Sequence, residues 1–115
     1  MKQVNLSGTA AFRVLLSNQG SQAAEMVLAP KKTEGGPDNR HLGSDQWLYV
    51  VSGRGTATIR GKRHSLKPGM LILIERGETH EIRSSSKSRL QTVNFYVPPA
   101  YDKNGEPLPH GQSEK

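Results

Sequence analysis

Glycine and proline interrupt this sequence roughly every eight to twelve residues, and only short runs rich in β-branched, aromatic and aliphatic residues lie between them. Helical periodicity is hard to find in these runs. This spacing is typical of a β-sandwich or barrel, so we predict an all-β fold. The predicted strands are Phe12 to Leu16, Ala23 to Ala29, Asn39 to His41, Gln46 to Ser52, Thr56 to Arg60, His64 to Leu66, Met70 to Ile74, His80 to Arg83 and Leu90 to Val97.

The 115 residues suffice for one hydrophobic core, and we predict one barrel domain over residues 1–97. Residues 29–38 hold two prolines, two glycines and four charged residues, which predicts an exposed loop. Residues 98–115 contain four prolines, and we expect them to form a tail that lies on the surface or is disordered.

Composition excludes several classes of site. The chain has no cysteine, so thiolate metal sites, disulfides and a cysteine nucleophile are excluded. Its net charge is +6, but the densest basic stretch, 60–67, looks like a hairpin whose charges face water, and we expect no nucleic-acid partner. No apolar run reaches the length of a membrane span and the first residues lack a secretory apolar region. We therefore expect a cytoplasmic protein without a membrane partner.

Two segments combine imidazoles with other potential metal ligands. In a strand, Asn39 and His41 would point to the same face, and the turn at 43–44 could bring Gln46 back towards them. His80 begins another predicted strand and could enter the same cavity. Neutral imidazoles with oxygen donors bind divalent metals, although a histidine in a β protein is more often a hydrogen-bonded or surface residue. His64 and His110 are weaker candidates, since one lies in the basic hairpin and the other in the tail.

These segments resemble the two motifs of the cupin superfamily. In the first, Gly53 matches a family glycine, His41 takes the position of the second histidine, Asn39 that of the first and Gln46 that of the glutamate. In the second, Gly69, Gly77 and His80 match, whereas Glu75 and Ser84 replace a proline and an asparagine.

The resemblance covers residues 36–84 and implies a double-stranded β-helix, or jelly-roll barrel, with a divalent metal ion bound inside. Zinc, iron, manganese or nickel would all suit such a site. The ligands that it implies are His41 and His80, with help from Gln46 and Asn39. Both amides are neutral where the family has an imidazole and a carboxylate, which removes negative charge and should weaken binding. Asp45 would compensate if a bulge turned it inward.

The stretches 35–41, 44–51 and 93–101 are similar to a group of small single-domain cupins, some of which are described as tetracenomycin polyketide synthesis proteins. The function expected is therefore a metal-binding cupin with a small organic ligand in its barrel, such as a metal-dependent isomerase, cyclase or oxygenase in polyketide-like metabolism. The alternative is a non-catalytic small-molecule binding or sensor module. The sequence identifies no catalytic residue and does not decide between them.

Two predicted strands are apolar on both faces. Leu48 and Val50 alternate with Trp47 and Tyr49, and residues 71–74 show the same pattern. One set of side chains can fill the barrel while the other needs a separate cover. We expect a homodimer, with a cover made by the terminal segments of the chain as the alternative.

Overall fold

A computed structural model describes residues 1–36 and 41–108 of the chain. It contains nine strands: β1 Phe12–Ser17, β2 Gln22–Leu28, β3 Thr33–Gly35, β4 Asp45–Gly53, β5 Gly55–Ile59, β6 Lys62–Leu66, β7 Leu71–Ile74, β8 His80–Ser84 and β9 Leu90–Val97. They form a five-stranded sheet in the order β1-β2-β9-β4-β7 and a four-stranded sheet in the order β3-β8-β5-β6. All strand pairs are antiparallel, and the described part of the chain contains no helix and therefore none that could cross a membrane. The all-β prediction is confirmed.

The tight turn between β4 and β5 requires glycine. Gly53 has a φ of +84°, and a Cβ placed on it would lie 1.8 Å from the carbonyl oxygen of Arg89. Any side chain would therefore clash with the backbone just before β9. Through this turn the chain passes from β4 in the five-stranded sheet to β5 in the four-stranded sheet.

The apolar core lies between the two sheets. Strand β4 contributes Leu48 and Val50, and strands of the facing sheet contribute Ala57, Leu66 and Ile82, all almost fully buried. Burial of each large aliphatic side chain stabilises the fold by roughly 1.5 to 3 kcal/mol. These residues occupy one part of the barrel and leave another part to polar side chains.

Two parts of the predicted strand pattern differ from the structure. Strand β3 lies within the segment that we predicted to be a loop. Its three residues are exposed and show no apolar pattern, so the sequence did not indicate a strand, and they pair with β8 through their backbone. The strand predicted over Asn39 to His41 is wrong at His41, which lies outside the strands. Asn39 itself lies outside the described residues.

The outer face of the five-stranded sheet carries a row of exposed apolar side chains, which we call the apolar face. Its members come from β4, β7 and β9 and are each about 40% exposed or more: Trp47, Tyr49, Leu71, Leu73, Phe95 and Val97. The first eight residues cross the same sheet elsewhere, over β2 and the beginning of β9. The terminal segment therefore covers only part of this sheet.

A buried carboxylate holds that N-terminal segment. The carboxyl group of Glu25 is fully buried and accepts hydrogen bonds of 2.9 Å from the backbone N–H groups of Ser7 and Gly8. Gln91 donates a further bond of 2.8 Å, and Arg13 lies 3.5 Å away. Burial opposes the charge, but these hydrogen bonds outweigh it and lower the pKa of Glu25 to about 2.

We predict that Glu25 makes the folded protein sensitive to acid. Its pKa lies below the ordinary value of 4.5, so its contribution to stability is complete above pH 4.5 and is lost as the pH falls towards 2. Glu25→Gln should lower the free energy of unfolding at pH 7 by about 1 to 3 kcal/mol, because the amide cannot accept from every donor. Urea denaturation at several pH values measures both effects, with the exposed Glu75→Gln as the control. Equal stability of the two variants at pH 7 would contradict the prediction.

Candidate metal centre

A small cavity lies inside the barrel beside the apolar core. Its volume is about 20 Å³, which is room for about one water molecule. Both sheets and the segment after β9 line it: the lining residues are Phe12, Met26, Glu34, His41, Gln46, His80, Ile82, Tyr96 and Tyr101. Three of the four predicted metal ligands are therefore in one cavity.

The two imidazoles lie side by side. The ring centroids of His41 and His80 are 5.3 Å apart, with 28° between the ring planes. His80 is the first residue of β8. His41 lies outside the strands, and its backbone is held by a 2.7 Å hydrogen bond that its carbonyl oxygen accepts from the N–H group of Gly77. Both side chains are buried. The structure thus brings together two residues that are thirty-nine positions apart.

The environment of His80 favours a neutral ring. Burial and the nearby His41 lower its pKa to about 4, although Glu78 acts in the opposite direction. Its ring nitrogen Nδ1 lies 3.4 Å from the carbonyl oxygen of Glu78. A neutral imidazole keeps one nitrogen lone pair, which is the form that binds metals.

Gln46 presents an unpartnered oxygen to the same space. Its Nε2 donates a 3.0 Å hydrogen bond to Oδ1 of Asn94, whose Nδ2 donates in turn to Thr92 Oγ1 at 3.0 Å. These two hydrogen bonds orient the Gln46 amide so that its Oε1 is buried without a hydrogen-bond partner among the described residues. An unmatched buried carbonyl costs about 1 to 3 kcal/mol, so Oε1 is a potential ligand atom.

The fourth predicted ligand, Asn39, lies outside the described residues. Asp45, a further possible ligand, does not join the group. Asp45 forms an ion pair with Arg76, at 3.2 Å, and is not turned inward by a bulge. Within residues 1–36 and 41–108, no three His, Asp or Glu side chains come close enough together to hold a metal ion. Any metal ligand beyond the two histidines must therefore come from amide or hydroxyl oxygens in this part of the chain.

Tyr101 is a site residue that the sequence analysis missed. Its hydroxyl oxygen Oη lies 3.4 Å from His41 Nε2, and its ring meets those of Phe12, His41 and Tyr96 at centroid distances of 4.9, 5.7 and 5.1 Å. Burial raises the pKa of Tyr101 to about 12. The Pro-rich composition of its segment gave no signal for a half-buried aromatic residue.

The expectation that the tail from Pro98 lies on the surface or is disordered is wrong for part of this segment. Ala100 is fully buried, and residues 98–108 fold back onto the barrel, in a segment that we call the strap. Gln22 holds it: Oε1 accepts from the N–H groups of Ala100 and Tyr101 at 3.2 and 3.1 Å, and Nε2 donates to the Tyr101 carbonyl at 2.7 Å. Residues 109–115 of the predicted tail lie outside the described residues.

We predict that Gln22→Leu loosens the strap. The substitution leaves two buried N–H groups and one carbonyl without their partner, which should lower the free energy of unfolding by about 2 kcal/mol. Hydrogen exchange at the Ala100 and Tyr101 amides should also accelerate. Urea denaturation and amide exchange measure these effects, and the exposed Gln3→Leu is the control. Unchanged exchange in Gln22→Leu would show that other contacts hold the strap.

Comparison with known families identifies the barrel. Residues 24–96, more than half of the chain, match the family model described as "Cupin domain". No curated protein matches the sequence.

Several solved structures share the fold. A cupin protein from Bacteroides fragilis has a TM-score of 0.71 and 21% identity, over 84% of this chain and 83% of that chain. A protein with a double-stranded β-helix domain from Klebsiella pneumoniae has a TM-score of 0.70 and 20% identity, over 97% and 91%. KdgF from Halomonas has a TM-score of 0.70 and 18% identity, over 76% and 77%. At these identities the likeness shows the fold alone.

Proposed function

Because the chain belongs to the cupin domain family, we propose that its barrel binds one divalent metal ion through His41, His80 and Gln46. The proposal rests above all on the buried Gln46 Oε1, which has no hydrogen-bond partner among the described residues and lines the same cavity as both imidazoles. Two neutral nitrogen donors and one amide oxygen form a set that zinc, iron or nickel accepts.

The size of the cavity also favours an ion. Pockets for small organic ligands usually measure about 300 to 1,000 Å³, whereas this cavity has room for about one water molecule. An organic ligand would need a larger cavity than the one formed by these side chains. We therefore favour metal binding over the alternative of a metal-free carrier or sensor.

When bound, the metal would act as a Lewis acid towards a carbonyl or enolate oxygen of a small substrate. The side chains of this protein would supply the rest of the environment. His41 and His80 are buried, and the aromatic rings of Tyr96 and Tyr101 shield His41 from water. A metal-dependent isomerase, cyclase or oxygenase would suit such a site. The likeness to polyketide synthesis proteins stays a prediction, as does a cytoplasmic location.

We predict that metal binding depends on both histidines. Untagged protein is loaded with zinc, dialysed, and its metal content is measured by mass spectrometry. Wild type should retain about one ion per chain, and His41→Ala and His80→Ala should each bind at least roughly tenfold more weakly, since each loses a nitrogen ligand. The exposed His64→Ala should bind like wild type. Equal metal content in all four proteins would rule out this site.

We also propose that the apolar face packs on a second copy of this chain. Its six exposed side chains are all uncharged, although the chain as a whole is strongly charged. A partner for such a face must itself be apolar and uncharged, and the same face of another copy meets that requirement through a two-fold axis. Self-association would remove this apolar area from water.

Sedimentation velocity tests the homodimer. At about 50 µM, wild type should sediment as a dimer, and Leu73→Glu should shift it to monomer, because a charge would be buried in the apolar interface. Thr58→Glu, on the four-stranded sheet, should remain dimeric. A monomeric wild type would contradict the proposal.

A further inference from the structure

We infer that Tyr101 supplies a further metal ligand, its phenolic oxygen Oη, to the site proposed at His41 and His80. The inference rests on the proposed metal binding and extends it to a residue of the strap. Neither the family motifs nor the spacing of the histidines points to Tyr101, which lies sixty positions after His41 in the sequence.

The distance between the two donor atoms suits a shared ion. Tyr101 Oη and His41 Nε2 are 3.4 Å apart, which is longer than the roughly 2.7 to 3.0 Å of a well-formed hydrogen bond. Two ligand atoms that each lie about 2.0 to 2.1 Å from a tetrahedral zinc ion are separated by about 3.3 to 3.4 Å. The spacing thus matches two neighbouring ligands better than a hydrogen-bonded pair.

Charge balance gives a second reason. The first cupin motif has a glutamate at the position of Gln46 in this chain. His41, His80 and Gln46 together therefore supply no negative charge. Binding of Tyr101 as a phenolate supplies one: the O–H bond breaks, the oxygen pair binds the ion, and the proton passes to solvent. Glu34 also lines the cavity, but it forms no metal-sized group with the two histidines.

The hydroxyl is already positioned. Gln22 holds the backbone of Tyr101 through three hydrogen bonds, and Phe12 packs against its ring at a centroid distance of 4.9 Å. A ligand fixed by its surroundings loses little conformational entropy when the ion binds. Tyr101 therefore needs no large rearrangement to reach a metal bound at His41.

Two substitutions separate Tyr101 from a tyrosine outside the cavity. Tyr101→Phe removes only the hydroxyl and keeps the ring packing, and Tyr49→Phe makes the same change in an exposed ring of the apolar face. Untagged, metal-free protein is titrated with Cu²⁺ and its visible spectrum is recorded, since phenolate bound to Cu²⁺ gives a ligand-to-metal charge-transfer band. Zn²⁺ affinity is measured by calorimetry on the same samples.

Wild type and Tyr49→Phe should show the charge-transfer band, and Tyr101→Phe should lack it and bind Zn²⁺ roughly tenfold or more weakly. If wild type binds metal but Tyr101→Phe keeps both the band and the affinity, Tyr101 is not a ligand and the proposed metal site remains. A lower affinity in Tyr101→Phe without any band in wild type would also overturn direct ligation. If wild type binds no metal, both the metal site and this inference fail.

Discussion

The antiparallel pairing of β4 with β9 determines both the cavity and the apolar face. In this register Gln46 lies opposite Tyr96 and Leu48 opposite Asn94, all facing the interior, while Trp47 lies opposite Phe95 on the outside. A shift by one residue would exchange the two faces of β4. The buried hydrogen bond between Gln46 and Asn94, which lie diagonally across the pair on its inner face, is made in this register.

The barrel interior is divided between two kinds of packing. Aliphatic side chains fill one part, and imidazole, amide and phenol groups fill the other. Such polar groups are expensive to bury unless they find partners, and most of them do so in chains such as Gln46 to Asn94 to Thr92. Gln46 Oε1 is the exception among the described cavity side chains, and its burial without a partner costs free energy that a bound ligand would recover.

The strands and the two histidines could be predicted because each leaves a local signal. Alternating residues such as Leu48 and Val50 show a buried sheet face, and the motif around His80 marks the second half of the site. Strand β3 and Tyr101 could not be predicted in this way. Strand β3 has exposed side chains and is held by backbone pairing with β8. Tyr101 is held by long-range hydrogen bonds with Gln22, which leave no periodic pattern in the sequence.

The attachment of the strap has a consequence for the order in which the barrel is built during translation. Gln22 emerges from the ribosome long before its partners Ala100 and Tyr101, from which it is separated by 78 and 79 positions. His41 and His80 also precede Tyr101, and β9, whose pairing with β4 shapes the cavity, ends at Val97, directly before the strap. The strap is therefore the last of the described segments to be synthesised, and it can pack on the barrel only after every strand has been made.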